Sequence, residues 1–309
     1  MMNCIQDNKG SATILMALIA AVIVTVGLGF NWLVREHIRA SEGLKNKAEA
    51  ILKARSAYNT IIYLILNSKT FPKEAVVAGC DNISVLKTLP LDGREIFLSP
   101  DVHIRIQDGN GVLSLVDVNK NALRRLIGKV DNTDNSAIAI DSLLDWIEAG
   151  KQTRINGAKD FYYQGLGVPY TSRNYALQYM DELKFIRGIG EETYNKIKPY
   201  VSMLRSIGFN PNTASNEVLR AHLDIDDTLL KAFRDYLAQG GTVKTNRELF
   251  ALTGKIIPED EDSLNFVPSV FMDITVSVGE PKNIYTIKAG LRLSQKVDSP
   301  FSIYYWQEV

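Results

Sequence analysis

Residues 10–34 carry no charged side chain, and from Ser11 to Leu33 they are dominated by Ile, Leu, Val and Ala. At about 1.5 Å of rise per residue, such a run covers the roughly 30 Å of a bilayer's hydrocarbon core. A single segment in lipid satisfies its backbone groups only as a helix, so residues 11–34 read as a membrane span. A secretory signal peptide has a different layout, with a basic region, an apolar core of about 7–15 residues and a small-residue cleavage site after that core. Here the apolar run is longer and passes straight into charged sequence at Arg35, Glu36, Arg39 and Glu42. The short polar head, residues 1–10, stands before the run and ends in Lys9-Gly10, so any cleavage is expected to remove the head and leave the helix. Asp7 and Lys9 on one side and Arg35 and Arg39 on the other leave the orientation undecided by charge.

Beyond the span, Leu44, Ala48, Ile51, Leu52, Tyr58, Ile61, Ile62 and Ile65 recur at three- and four-residue intervals. No Pro interrupts residues 11–67, and Phe71-Pro72 marks the stop, so one helix of about 85 Å is expected. Residues 96–98 and 103–107 read as strands. Asp108-Gly-Asn-Gly111 is a turn signal, and residues 112–116 are expected to return as the partner strand. Residues 270–277, 285–293 and 301–306 are rich in β-branched and aromatic residues between Gly- and Pro-containing turns. Strand signals thus lie on both sides of a helical middle. The economical arrangement is one sheet divided by an inserted helical domain, residues 119–266.

The chain has 309 residues, with 35 Lys plus Arg against 35 Asp plus Glu, which argues against a protein that coats nucleic acid. No H-E-x-x-H, G-x-S-x-G or G-x-x-x-x-G-K-[ST] pattern is present, and His37, His103 and His222 are scattered. No catalytic residue is assigned. Cys4 falls in the head, leaving Cys80 as a lone thiol best read as a small hydrophobe. Residues 185–197 read as a helix-hairpin-helix in which Gly188 and Gly190 allow the turn and Ile189 plugs the space between the helices. Residues 210–252 suggest a second such unit, but its hairpin carries Asp224, Asp226 and Asp227 where glycine amides would meet a phosphate. Residues 141–260 hold 15 basic and 16 acidic residues, so no basic field surrounds either hairpin and a packing role is favoured. Asp260, Glu261 and Asp262, in the densest acidic run, are candidates for structural Ca²⁺, with Asp141, Asp145 and Glu148 as a weaker set.

A charged leader ending in Gly and followed directly by an apolar helix resembles the class III signal of type IV pilins and type II secretion pseudopilins. The resemblance implies cleavage by a prepilin peptidase between Gly10 and Ser11, with Lys9 before the cut and N-methylation of Ser11. Most pilins carry a Glu five residues after the cut, paired with a neighbour's terminal amine; Leu15 stands there in this chain. A carboxylate in the membrane costs about 2.5–3.5 kcal/mol unless paired, so it is kept only where a partner exists. The missing Glu is similar to the minor pseudopilin K (GspK) family. That family is also resembled by Leu143-Leu-Asp-Trp-Ile147, Tyr162-Tyr163, Pro169-Tyr170, Asn210-Pro-Asn-Thr-Ala-Ser215 and Phe301-Ser-Ile-Tyr-Tyr-Trp306, in the same order along the chain.

The resemblance implies an α+β fold. A pilin-like long N-terminal helix would pack on an antiparallel sheet, with a large inserted all-α (SAM-like, helix-hairpin-helix) domain. The expected division is leader 1–10, membrane helix 11–34, first pilin-like part 35–118, inserted helical domain 119–266 and second pilin-like part 267–309. The implied function is that of a minor pseudopilin at the tip of a periplasmic pseudopilus. There it would initiate assembly with minor pseudopilins I and J, be anchored once in the bacterial inner membrane among lipid, and be processed by prepilin peptidase and handled by the inner-membrane secretion platform. No nucleic acid, small-molecule substrate or obligatory cofactor is expected. Two other readings share the leader or the hairpins: a membrane-anchored DNA receptor of the competence type, and a minor pilin of a type IV pilus.

Overall fold

A computed structural model of the chain describes residues 9–77, 86–131, 135–255, 264–279 and 285–309. The first helix, α1 (Lys9–Leu66), runs without interruption, as the absence of proline and the heptad-like spacing require. The chain divides into two compact units, residues 1–53 and 54–309. The first unit is the apolar and then charged stretch of α1.

In the second unit the last turns of α1 bury Ala54, Tyr58, Ile61 and Ile65, a stripe at three- and four-residue spacing. A small antiparallel sheet follows: β1 (Ser68–Thr70), β2 (Glu74–Val77) and β3 (Thr88–Pro90). The main sheet has five antiparallel strands. They are β4 (Asp92–Ser99), β5 (Val102–Asp108), β8 (Phe271–Val278), β9 (Tyr285–Lys296) and β10 (Ser299–Glu308), in the order β10-β9-β8-β5-β4. Its register stacks apolar residues in rows across the strands: Ile104 opposite Val276 opposite Ile287, and Ile106 opposite Ile274 opposite Ala289. All six are buried, so one face of the sheet is core, as period-two alternation demands. The helix meets this sheet at its β10 edge, where Tyr58 packs edge-on against Trp306 at 4.8 Å and Arg55 reaches Glu308 at 3.2 Å. The result is the mixed α+β fold expected.

Between β5 and β8 the chain builds helices. They are α2 (Lys120–Asp131), α3 (Ser136–Ile147), α4 (Asp160–Gly165), α5 (Gly190–Ile197), α6 (Asn216–Leu223), α7 (Asp227–Ala238) and α8 (Asn246–Thr253). Two apolar clusters hold them. Leu123, Ile127, Ile140, Leu143 and Tyr163 centre the first, on α2 to α5; Phe209, Leu219, Leu230 and Phe233 centre the second, on α6 to α8.

One strand expectation fails. Residues 112–116 do not return along β5, whose neighbours are β4 and β8. Asp108–Gly111 turns instead as a single 3₁₀ turn, and β6 (Leu113–Ser114) pairs in parallel with β7 (Val201–Ser202). The Asp108 side chain accepts the amide of Asn110 at 3.1 Å, which commits the backbone to the 3₁₀ turn rather than a two-residue hairpin. Gly111 is also clamped: a Cβ there would stand 2.7 Å from the Thr213 carbonyl, an approach only glycine permits.

Candidate functional site

The apolar part of α1 is long enough to cross a membrane. Ile14, Leu15, Met16, Val22, Phe30 and Trp32 expose their side chains around the helix, the all-round pattern of a segment made for lipid or for other helices rather than for a core of its own. The Thr25 hydroxyl is satisfied within the helix by the Ala21 carbonyl at 2.8 Å, as an apolar surround requires. Leu15 lies on this surface. Lys9, Gly10 and Ser11 fall in the first turn of α1.

The helical insertion is fastened to the sheet by two carboxylates. Asp108 ends β5 fully buried and accepts four hydrogen bonds: from the Asn110 and Ser269 amides at 3.1 and 2.6 Å, Asn210 Nδ2 at 3.0 Å and Thr213 Oγ1 at 2.7 Å. These donors belong to the turn after β5, to the segment entering β8 and to the start of the second helical cluster, so one side chain ties three separate stretches. Asn110 and Asn210 complete the joint. Asn110 donates to Val267 O and accepts from Ile207 N, and Asn210 Nδ2 also reaches Pro72 O. One residue along the neighbouring strand, Asp273 takes Ser202 Oγ at 2.7 Å and Tyr305 Oη at 2.5 Å. Burial pushes both carboxyls above their ordinary range, and the hydrogen bonds only partly offset it. The Tyr305 phenol is raised too, by burial and then by the facing Asp273.

Neither aspartate was singled out from the sequence. The available signals were weak: Asp108 opens a turn motif, and Asp273 is a poorly favoured residue inside an otherwise β-branched strand.

The hairpin turn is built from Gly188 and Gly190, both at positive φ (83° and 66°), with Ile189 buried between them. Its first arm is a 3₁₀ stretch, Met180–Phe185, rather than the α-helix expected, and α5 forms the second. A Cβ on Gly188 would lie 2.8 Å from the Ala139 amide, so this glycine packs on the α3 backbone instead of offering its amide to a ligand. Arg187 is spent internally, donating to Gly157 O at 3.2 Å and stacking on the Tyr162 ring at 4.7 Å. Glu191 and Glu192 occupy the first turn of α5, where a phosphate would need positive potential. The geometry speaks for packing and against a nucleic-acid contact. In the second hairpin Asp226 caps α7 through the Leu229 amide at 2.8 Å, and Asp227 pairs with Arg220 at 2.6 Å.

The helical acid set is already occupied. Arg154 spans Asp145 at 2.7 Å and Glu148 at 2.6 Å, and Asn156 donates to Asp141. Those hydrogen bonds, Glu148 first, raise the Arg154 guanidinium further above its usual range. Among the described residues no group of three or more His, Cys, Asp or Glu is placed to hold a metal ion. Asp260, Glu261 and Asp262, with Cys4 and Cys80, lie outside the described residues. Trp146 of α3 donates to Glu182 at 3.1 Å and stands edge-on to Tyr163 at 5.3 Å, so the aromatic residues of this region serve the core.

A long apolar helix, an antiparallel sheet and a helical insertion fastened to it resemble the architecture of the pseudopilin class. Within that class the likeness is to protein K. Residues 108–206 match the family model for type II secretion system (T2SS), protein K. The type II secretion system protein K of Pectobacterium carotovorum subsp. carotovorum is 26% identical over 160 residues, 48% of this chain and 49% of that protein. The one from Aeromonas hydrophila is 35% identical over 89 residues, 28% of this chain and 26% of that protein. The matched stretches thus span about half of these curated relatives or less. In the crystal structure of the GspK-GspI-GspJ complex from enterotoxigenic Escherichia coli, one chain has the same fold. Its TM-score is 0.57 at 18% identity, over 89% of this chain and 99% of that one.

Proposed function

We propose that this chain is a minor pseudopilin of a type II secretion system, acting in assembly and carrying no reaction of its own. The observation that carries the reading is where the protein K match falls. Residues 108–206 begin at the buried Asp108 joint and run through the first helical cluster, α2 to α5, in a chain that also bears an apolar helix long enough to span a bilayer. In this reading prepilin peptidase cuts between Gly10 and Ser11, the new terminus is methylated, and the span anchors the chain once in the inner membrane with its bulk in the periplasm.

The solved relative is a complex of GspK with GspI and GspJ, and we take I- and J-type minor pseudopilins as the partners. Leu15 suits a subunit with no neighbour above it to pair with. The rigidly held insertion suits the tip, because it would obstruct a further subunit stacking on it. Together these support a role in initiating the pseudopilus for export of folded proteins.

The test is the amino-terminal residue and secretion phenotype in cells with and without prepilin peptidase, and with residues 11–34 deleted. A peptidase-dependent start at Ser11, with secretion lost on deletion, is expected. An uncut start, or normal secretion from the deletion, overturns the reading.

A further inference from the structure

The outer face of the main sheet, opposite the buried rows, carries a polar concavity of about 280 Å³. Two rows of the register build it. In one, Glu95 faces Arg105, Arg105 faces Thr275 and Thr275 faces Lys288; in the other, His103 faces Ser277 and Ser277 faces Thr286. Val309 also lines it, taking the Thr286 amide at 2.9 Å; among the side chains of the floor the one carboxylate is used up, since Glu95 pairs with Arg105 at 3.0 Å and lies 3.6 Å from His103 Nδ1. Ser277 Oγ and Thr286 Oγ1 are 3.1 Å apart. One hydroxyl donates to the other, so the pair keeps one O–H free to donate outward.

Lys288 is the surplus charge. It is partly buried, and among the described residues no carboxylate forms an ion pair with it. Burial lowers its ammonium from the ordinary range, and Lys198, approaching from the helical insertion, lowers it further; Asp181, paired with Lys184 at 2.8 Å, opposes this only in part. An ammonium held partly out of water beside a second cation is unfavourable unless an anion completes it. We propose that this concavity is a carboxylate-binding site, in which Lys288 Nζ, the Thr275 hydroxyl and the free O–H of the Ser277–Thr286 pair hold one carboxylate group.

Size bounds the ligand from above. At about 30 Å³ per water the space equals roughly nine waters, below the range of about 300–1,000 Å³ typical of cofactor pockets. It suits an acetate-sized ion or one Asp or Glu side chain of a protein docking on this face. The inference is independent of the secretion reading, since it rests on the face of the sheet and the charges beside it.

The test uses the full chain in detergent with labelled threonine γ-methyl groups, titrated with sodium acetate and with a blocked glutamate tripeptide. The Thr275 and Thr286 resonances are expected to shift and saturate with half-saturation on the order of 1 mM. Lys288→Met should weaken the response about tenfold, as expected for one charge-assisted hydrogen bond, with the melting temperature unchanged. Saturation by acetate and peptide alike identifies a site for any carboxylate, and saturation by the peptide alone one for an acidic side chain in a chain. No saturating shift with either probe, or equal responses from wild type and Lys288→Met, overturns the proposal.

Discussion

Replacing Asp108 by Ala removes the acceptor of four buried or part-buried donors at once, and its cost can be worked from their alternatives. Two donor groups keep another acceptor: Thr213 Oγ1 lies 3.4 Å from Asn210 O, and Asn210 Nδ2 retains the bond it already makes to Pro72 O at 3.0 Å, losing the partner of its second N–H alone. The amides of Asn110 and Ser269 are left with nothing, at about 1–3 kcal/mol each. Removing a desolvated carboxylate returns part of that, since burial alone already raises this group. A net cost of about 3 kcal/mol follows, concentrated at the joint rather than spread over the sheet. The assay is hydrogen exchange read by mass spectrometry on peptides covering residues 207–213 and 265–270. At tenfold per 1.4 kcal/mol, exchange there should quicken about a hundredfold, while peptides from β8 and β9 keep their protection. Exchange at the joint within about threefold of wild type would refute the claim that Asp108 fastens the insertion.

The same group sets a pH dependence. Asp108 and Asp273 are both raised above the ordinary 3.8, so between that value and their native values the folded chain holds protons that the unfolded chain has released. Their contribution to stability is complete at the acidic end and is lost as pH rises through that window; Asp108→Asn should flatten the curve of urea midpoint against pH there. Gly188→Ala forces a side chain at φ 83° into the α3 backbone and should cost about 2 kcal/mol, against about 1 kcal/mol for the open Gly190→Ala, read as melting temperatures. Arg154→Ala strips the fully buried Asp145 of its counter-charge and should cost about 3 kcal/mol in urea unfolding; a value under 1 kcal/mol would show that the Arg154 amide suffices. Leu15→Glu should still reach the membrane fraction, because one carboxylate near a helix end does not outweigh the rest of the span; its loss to the soluble fraction would contradict that.

Much of the frame was legible because it is written in local periodicity. The uncharged run and the three- and four-residue spacing after it gave α1 to within two residues of its ends, Lys9 and Leu66. The alternating runs gave β4, β5, β8, β9 and β10, and strand signals on either side of a helical middle gave the split sheet. The hairpin glycines were legible as a turn, since only glycine sits comfortably at their φ. The partner of residues 112–116 was not legible, because a turn motif reports a change of direction and not which strand comes next.

The sequence by itself therefore determined the long first helix, the strands of the main sheet, which residues are apolar enough for lipid or core, and that no hairpin stands in a basic field. These follow from spacing and composition, which act over a few residues. Only the tertiary structure decided that Asp108 meets Asn210 and Thr213 more than a hundred residues away, that Arg154 fills the helical acid cluster, and that Lys288 stands beside Thr275 on the outer face of the sheet. Those are pairings between distant segments. The energy of burying a charge depends on what the fold brings beside it, and no pattern along the chain carries that information.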